Sequence, residues 1–238
     1  MEMGMIRLDK YLADMGAGTR QEVKKYIRQG KVYVDGSKVT KPEFKVEPNE
    51  QEVSLDGDKI CYEEFEYYML YKPAGYVSAT QDKKEKTVLE LIKEKKRKDL
   101  FPAGRLDKDT EGLLLITNDG ELAHRLLSPR KHVDKVYYAK IQGMVDERDI
   151  RIFAEGMDIG EGERAKPSRL CILSSGEISE IELTIQEGKY HQVKRMFESV
   201  GKKVLYLKRL SMGSLWLDKS LKPGEYRKLT NEELNELC

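Results

Sequence analysis

The apolar positions near the start of the chain recur at the spacing of two short helices. Apolar side chains at residues 8, 11, 12 and 15 share one helical face, and those at 23, 26 and 27 share another. Thr19 and Glu22 have the spacing of a capping box, in which each side chain accepts a hydrogen bond from the other residue's backbone N–H. The pattern predicts that the second helix begins after Thr19 and ends at Gly30.

Two hairpins are predicted next, each around an Asp-Gly turn. Residues 31–40 flank the turn at Asp35-Gly36, and residues 51–62 flank the turn at Asp56-Gly57. Residues 63–66 are predicted to be a linker. The sequence therefore predicts a small domain at 1–62 and a larger domain at 67–238.

The larger domain combines many strand patterns with a few helical ones. Strands are expected at 67–72, 76–78, 113–117, 135–141, 178–186, 202–210 and within 214–229, and helices at 87–98, 121–128 and 191–199. The predicted fold class is α+β. It comprises a small helical and hairpin domain followed by a larger, mixed and mostly antiparallel domain.

Composition favours a soluble protein with a charged surface. Of 238 residues, 39% are hydrophobic and 36% are charged, and no apolar run is long enough to span a bilayer. The first residues lack the pattern of a signal peptide. The cysteines (61, 171 and 238) and the histidines (124, 132 and 191) are not at metal-binding or disulfide-framework spacings. We expect no metal, and a location in the reducing cytoplasm.

The net charge of +1 conceals two basic segments. Residues 6–46 carry ten Lys or Arg against five Asp or Glu, and residues 186–209 carry seven against two. Such segments are typical of proteins that contact a polyanion such as nucleic acid, but also of a solvated lysine-rich surface. Charge alone leaves both interpretations open.

The N-terminal segment resembles the S4 RNA-binding domain. The matching residues are Arg7–Leu12, Thr19-Arg20 and Ile27–Gly36. The resemblance implies that Arg20, Lys24 and Arg28, on the polar side of the second helix, contact RNA phosphates without reading the base sequence. A basic helical pair that binds another protein is the alternative.

Asp107 lies in a Gly-Arg-Leu-Asp turn directly before an apolar run. Three interpretations are open on these residues alone. The spacing of Asp107, Asp109 and Glu111 imitates the start of a calcium-binding loop, but Asn118 occupies the position where such a loop needs Glu. The others are an ordinary turn residue and a catalytic carboxylate in a loop that enters a buried strand.

Further blocks, in order along the chain, resemble the pseudouridine synthases and in particular the branch that modifies small-subunit ribosomal RNA. Relatives that modify large-subunit RNA tend to have an Asn-Arg-x-Val-Arg pattern within the block where this chain has Gly188–Lys194. The blocks are Leu70–Val77, Ala103–Leu113, Thr117–Gly120, His124–Pro129, Lys135–Tyr137, Glu187–Phe197 and Pro223–Arg227.

The resemblance implies that Asp107 is the catalytic nucleophile, directed at C1′ of a uridine flipped out of the RNA. A carboxylate that must stay ionised needs a cation, and Lys194 occupies the family's position for it. Tyr137 matches the tyrosine that stacks on uracil, and Arg105 matches the arginine that supports flipping. The other expected RNA contacts are Lys189, His191 and Arg195.

The predicted function is the isomerisation of a specific uridine to pseudouridine in 16S ribosomal RNA, either free or in a small-subunit assembly intermediate. No cofactor and no membrane partner are expected, and the protein is expected to be a monomer. Two alternatives remain at this point. They are a synthase for large-subunit (23S) RNA and a non-catalytic RNA-binding factor in ribosome assembly.

Overall fold

The computed structural model describes residues 4–128 and 131–237, which divide into two compact units. The first unit contains residues 4–66 together with Lys93–Leu100, and the second contains Tyr67–Ile92 together with residues 101–237. Pro129 of the His124–Pro129 block and Cys238 lie outside the described residues.

The first unit contains two helices, a two-stranded ladder and a four-stranded antiparallel sheet in the order β3-β2-β5-β6. Its elements are β1 (Ile6–Arg7), α1 (Leu8–Asp14), α2 (Arg20–Arg28), β2 (Val32–Val34), β3 (Ser37–Val39), β4 (Lys45–Val46), β5 (Val53–Leu55) and β6 (Asp58–Ile60).

The N-terminus of α2 is fixed by the predicted capping box. The Thr19 hydroxyl accepts from the Glu22 backbone N–H at 3.3 Å, and the Glu22 carboxylate accepts from the Thr19 N–H at 2.7 Å. Val23 and Ile27 on this helix are fully buried in one core with the apolar face of α1. The predicted helices and both predicted hairpins of this unit are confirmed.

The predicted helix at 87–98 is wrong. The structure has a single 3₁₀ turn at Val88–Glu90, and Lys93–Leu100 belongs to the first unit and has no regular secondary structure. The carboxylate of Glu66, which is buried, accepts from the backbone N–H groups of Lys96 and Arg97. Arg97 in turn lies 3.4 Å from Asp14. These long-range bonds outweigh the local helix propensity of the lysine-rich segment.

The second unit is built on one mixed sheet in the order β11-β12-β10-β13-β9-β7-β15, with β14 paired to β13 and β8 paired to β9. Its elements are β7 (Tyr67–Lys72), β8 (Phe101–Ala103), β9 (Glu111–Thr117), α3 (Gly120–Leu127), β10 (Lys135–Gln142), α4 (Glu147–Glu155), β11 (Arg169–Ser174), β12 (Ile178–Ile185), α5 (Gln192–Ser199), β13 (Lys203–Met212), β14 (Leu215–Trp216), β15 (Tyr226–Lys228) and α6 (Asn231–Leu237).

The strand pairs of this sheet are antiparallel except for the parallel pair of β9 and β13. The predicted α+β class and the mostly antiparallel sheet are confirmed. In the parallel pair, Gly112 lies opposite Arg209, and a Cβ atom at Gly112 would lie 2.2 Å from the Arg209 carbonyl oxygen. Only glycine therefore allows β9 to approach β13 this closely.

Sequence reasoning differs from the structure elsewhere in this unit. The predicted strand at 76–78 is wrong, because Val77 forms a single bridge to Thr87 rather than a ladder. Helix α4 was not predicted, although Asp146 and Asp149 form a capping box at its start that the sequence displays. The strands β8 and β11 and the helix α6 were also not predicted.

Candidate active site

The loop between β8 and β9 carries Asp107, and side chains from distant segments hold its backbone. Ser78 donates to the Leu106 carbonyl at 2.9 Å and accepts from the Leu106 N–H at 3.0 Å. The Gly75 N–H donates to the Lys108 carbonyl at 2.7 Å. Since these bonds tie the loop to Gly75 and Ser78, the fold sets the position of the Asp107 backbone.

Lys72 is the main support of this loop. Its side chain is fully buried at the end of β7, and its ammonium lies 2.7–3.2 Å from the carbonyl oxygens of Pro73, Asp107, Lys108 and Thr110. Burial lowers the pKa of Lys72 to about 8, although the nearby carboxylates of Asp109, Asp107 and Glu111 oppose the shift. Sequence reasoning missed this residue. Its one sequence signal is a lysine that ends an otherwise apolar and aromatic strand.

The Asp107 side chain lies next to two basic groups of the α5 region. Lys194 Nζ is 3.2 Å from Asp107 Oδ2, and His191 Nε2 is 3.7 Å from Asp107 Oδ1. The Asp107 side chain keeps 26% of its surface exposed. The carboxylate therefore has a cation at close range and an accessible side as well.

Lys194 is shared between two carboxylates. Its ammonium also donates to both oxygens of Asp109, at 2.7 and 2.9 Å, which is closer than its contact with Asp107. Burial would lower the pKa of Lys194, but the carboxylates of Asp109 and Asp107 outweigh burial and raise it. Burial likewise opposes ionisation of Asp109, yet its bonds to Lys194 lower its pKa. Asp109 thus holds Lys194 in place beside Asp107, a role that sequence reasoning did not assign.

A buried hydrogen-bond network fixes the turn that precedes α5. The Gln192 side chain donates to Glu187 Oε1 at 2.8 Å and accepts from the Lys189 N–H at 2.9 Å. The same Glu187 oxygen accepts from the Lys166 N–H at 2.8 Å. His191 has the left-handed backbone conformation, with φ of 48°. This network orients His191 and Lys194 toward Asp107, and sequence reasoning missed both Glu187 and Gln192.

Two cavities meet at Asp107. The inner cavity, of about 70 Å³, is lined by Tyr137, Thr110 and Leu207, and the outer cavity, of about 760 Å³, by Ala74, Lys108 and Tyr190. Residues common to both include Arg105, Asp107, Lys189, His191 and Lys194. Tyr137 is 7% exposed, whereas Tyr138 belongs to the opposite face of β10. The structure thus brings six of the sequence-predicted residues around one space.

The remaining predicted residues lie outside these cavities. Arg195 donates to the carbonyls of Ile159, Gly160 and Tyr190 and to the carboxylate of Glu163. Its donors are thus used within the protein, and its predicted contact with RNA stays a prediction. Arg20, Lys24 and Arg28 lie on α2 of the first unit, where Arg20 and Arg28 are exposed and Lys24 is partly exposed.

The structure has no three-residue group of His, Cys, Asp or Glu that could hold a metal ion among residues 4–128 and 131–237. Within the same ranges, no helix is both long and apolar enough to cross a membrane.

Comparison with known proteins places this chain in a family. Residues 66–199 match the family model described as RNA pseudouridylate synthase, and residues 6–51 match the S4 domain. An RNA pseudouridine synthase of Bacillus subtilis is 50% identical over 234 residues, which cover 98% of each chain. Ribosomal small subunit pseudouridine synthase A of Vibrio parahaemolyticus is 42% identical over 98% of this chain and 99% of its own.

A solved structure agrees with the sequence comparisons. The crystal structure of a pseudouridylate synthase, 38% identical, covers 98% of this chain and is itself covered completely, with a TM-score of 0.69. The similarity therefore extends through both units. The chain belongs to the RNA pseudouridine synthase family and carries an S4 domain at its N-terminal end.

Proposed function

We propose that this protein converts a specific uridine of 16S ribosomal RNA to pseudouridine, with Asp107 as the nucleophile. The observation that carries the proposal is the Asp107 carboxylate itself. It borders two cavities, keeps 26% of its surface exposed and lies 3.2 Å from the Lys194 ammonium. A carboxylate with a cation on one side and an open space on the other suits attack on an electron-poor carbon.

The chemistry follows from the bonds that change. Cleavage of the uridine N1–C1′ bond leaves C1′ electron-poor, and the Asp107 carboxylate bonds to C1′ or stabilises its charge, as a carboxylate does in retaining glycosidases. The detached base turns and C5 bonds to C1′. The C5 proton leaves and N1 ends protonated, so the atoms balance without a cofactor. Lys194 stabilises the carboxylate each time its negative charge returns.

The inner cavity supports a role for Tyr137 and Arg105. The buried Tyr137 ring forms one wall, where a flat pyrimidine can stack on it. Arg105 is exposed at the border of both cavities and can occupy the space that the flipped uridine leaves in the RNA. Lys189 and His191, which border the same cavities, can approach the flanking phosphates.

Small-subunit RNA is the favoured substrate because relatives about 40% identical over nearly the whole chain bear the name ribosomal small subunit pseudouridine synthase A. The Gly188–Lys194 sequence, which differs from the large-subunit pattern, points the same way. We further propose a cytoplasmic monomer that acts on free 16S RNA or on an assembly intermediate.

Tritium release tests this proposal, because the C5 hydrogen is lost only if the base is rejoined through C5. We expect release from 16S RNA labelled at uridine C5, little from 23S RNA, and none from either with Asp107→Asn. Release from 23S RNA alone would overturn the proposal that 16S RNA is the substrate. Release that persists with Asp107→Asn would overturn the assignment of Asp107 as the nucleophile.

A further inference from the structure

Tyr190 is an exposed aromatic residue that the proposed chemistry does not use. It is 72% exposed, more than any other large apolar side chain in the described ranges. It lines the outer cavity beside Asp107 but not the inner cavity, whereas Tyr137 lines the inner cavity but not the outer. The two tyrosines therefore border different compartments that share Asp107 and Lys194.

The Tyr190 ring already stacks on one side. Its centroid lies 3.8 Å from that of the His191 ring, with the two planes 19° apart. Side chains of consecutive residues seldom stack, and here the left-handed backbone of His191, with φ of 48°, brings them together. One face of Tyr190 is covered by the imidazole, and its high exposure leaves the other open to solvent.

The backbone beneath this ring is held firmly. Arg195 Nη1 donates to the Tyr190 carbonyl at 3.3 Å, and the flanking turn is closed by the Gln192 N–H, which donates to the Lys189 carbonyl at 3.2 Å. The Gln192 side chain accepts from the Lys189 N–H at 2.9 Å. A ring on a fixed backbone, stacked on a second ring, loses little conformational freedom when a ligand stacks on it.

The size of the outer cavity indicates what that ligand is. The outer cavity, at about 760 Å³, is much larger than the inner cavity of about 70 Å³ that Tyr137 lines. Extrusion of the target uridine also unstacks its neighbours, which then need a new surface to stack on. Exposed aromatic rings serve this purpose in proteins that bind single-stranded nucleic acid.

We infer that Tyr190 is a stacking platform for a second unpaired base of the substrate RNA, adjacent to the flipped uridine. The inference rests on the proposed function and assigns the outer cavity to a flanking nucleotide. Lys189, which borders both cavities and is 28% exposed in its side chain, is placed to meet the phosphate between the two nucleotides.

Kinetics of Tyr190→Leu on a folded fragment of 16S RNA tests the platform. Loss of one stacked base weakens RNA binding by about 5- to 150-fold. The KM should rise within this range, while the single-turnover rate at saturating RNA stays close to wild type. Tyr190→Phe, which keeps the ring, should restore the KM. Trp216→Leu is a matched control, because Trp216 is 56% exposed but lines a different cavity, and it should leave the KM unchanged.

RNA with a single abasic site at each position flanking the target then identifies the stacked base. At one position, removal of the base should weaken wild-type binding but should not weaken binding by Tyr190→Leu further. Unchanged KM for Tyr190→Leu, or losses that add at every abasic position, would overturn the platform. These assays compare each variant with the conversion of RNA by the wild-type enzyme. If Tyr190 is not a stacking platform, wild-type conversion persists and the proposed role of Asp107 is unaffected.

Discussion

Each unit of the molecule has an aspartate that lies beside basic side chains, and the two sites differ in accessibility. Asp9 in the first unit is fully buried, with hydrogen bonds of 3.0 and 2.9 Å from Arg7 and with Arg20 and Lys24 within 3.9 Å. Asp107 in the second unit has Lys194 at 3.2 Å and remains 26% exposed. Accessibility, rather than the presence of a cation, therefore separates the carboxylate that we propose as the nucleophile from the buried one.

The cations around Asp9 keep its carboxyl ionised. Burial would raise the pKa of its carboxyl, but the hydrogen bonds and charge of Arg7, together with the charges of Arg20 and Lys24, outweigh burial and lower it. A buried, ionised Asp9 can only arrange the cations around it. Two of those cations, Arg20 and Lys24, are predicted to contact RNA.

Removal of the cation beside Asp107 should have the largest effect. Lys194→Met should lower the single-turnover rate by about 10²- to 10³-fold, because a charged donor aimed at the reacting group is lost. Lys194→Arg keeps the charge and should retain most of the rate. RNA binding should change little in both variants, as measured by filter binding. Equal rates for Lys194→Met and wild type would show that the cation is not needed.

Removal of the support beneath Asp107 should have the next largest effect. Lys72→Met leaves the four carbonyl oxygens that contact Lys72 without their shared donor. Misplacement of the Asp107 loop should lower the single-turnover rate by about 10²-fold. Lys140→Met is a matched control, since Lys140 pairs with Glu180, is 46% exposed and lines neither cavity at Asp107, and it should have a rate near wild type. A similar rate for the two variants would contradict the supporting role of Lys72.

Asp9→Asn should weaken RNA binding by about 5- to 10-fold, although it removes a negative charge from a surface that meets a polyanion. The neutral amide cannot hold the Arg7, Arg20 and Lys24 cations together. Glu43→Gln makes the same charge change at an exposed position near Arg7 and should strengthen binding slightly. Filter binding at constant salt measures both. Stronger binding by Asp9→Asn would show that Asp9 acts only through its charge.

The pH dependence should show the smallest effect. The pKa of Lys72 is about 8 in the folded protein, against 10.5 ordinarily. As the pH rises through about 8, Lys72 loses its proton, its bonds to the loop weaken, and the rate should fall a few-fold. Between about pH 8 and pH 10.5, Lys72 is protonated in the unfolded chain but not in the folded protein, so the unfolded chain binds more protons. The contribution of Lys72 to the free energy of unfolding therefore rises with pH, while the rate falls.

A rate-against-pH profile and urea unfolding between pH 7 and 10 separate these two trends. A flat profile across about pH 8 would show that Lys72 keeps its proton, held by the surrounding carbonyl dipoles.

The sequence was sufficient for elements with strong local patterns. The Thr19–Glu22 capping box, the Asp-Gly hairpins and the alternation of β10 and β12 depend on residues close together in the chain. The proximity of Asp107 and Lys194, far apart in sequence, followed from the family resemblance instead.

The sequence was insufficient where contacts between residues far apart in the chain determine the local structure. The helix expected at 87–98 was lost because Glu66 binds the backbone of Lys96 and Arg97. The supporting role of Lys72 could not be predicted because three of the four carbonyls that it contacts lie at least 35 residues away. The stacking of Tyr190 on His191 depends on the left-handed backbone of His191, which no local sequence pattern predicts.

The most direct test compares the two carboxylates that share Lys194. Asp107→Asn and Asp109→Asn make the same substitution two residues apart, and both oxygens of Asp109 lie closer to Lys194 than Asp107 does. Tritium release from 16S RNA labelled at uridine C5 should be abolished by Asp107→Asn and reduced by less than about tenfold by Asp109→Asn, which only loosens Lys194. Release that survives Asp107→Asn but disappears with Asp109→Asn would contradict the assignment of Asp107 as the nucleophile.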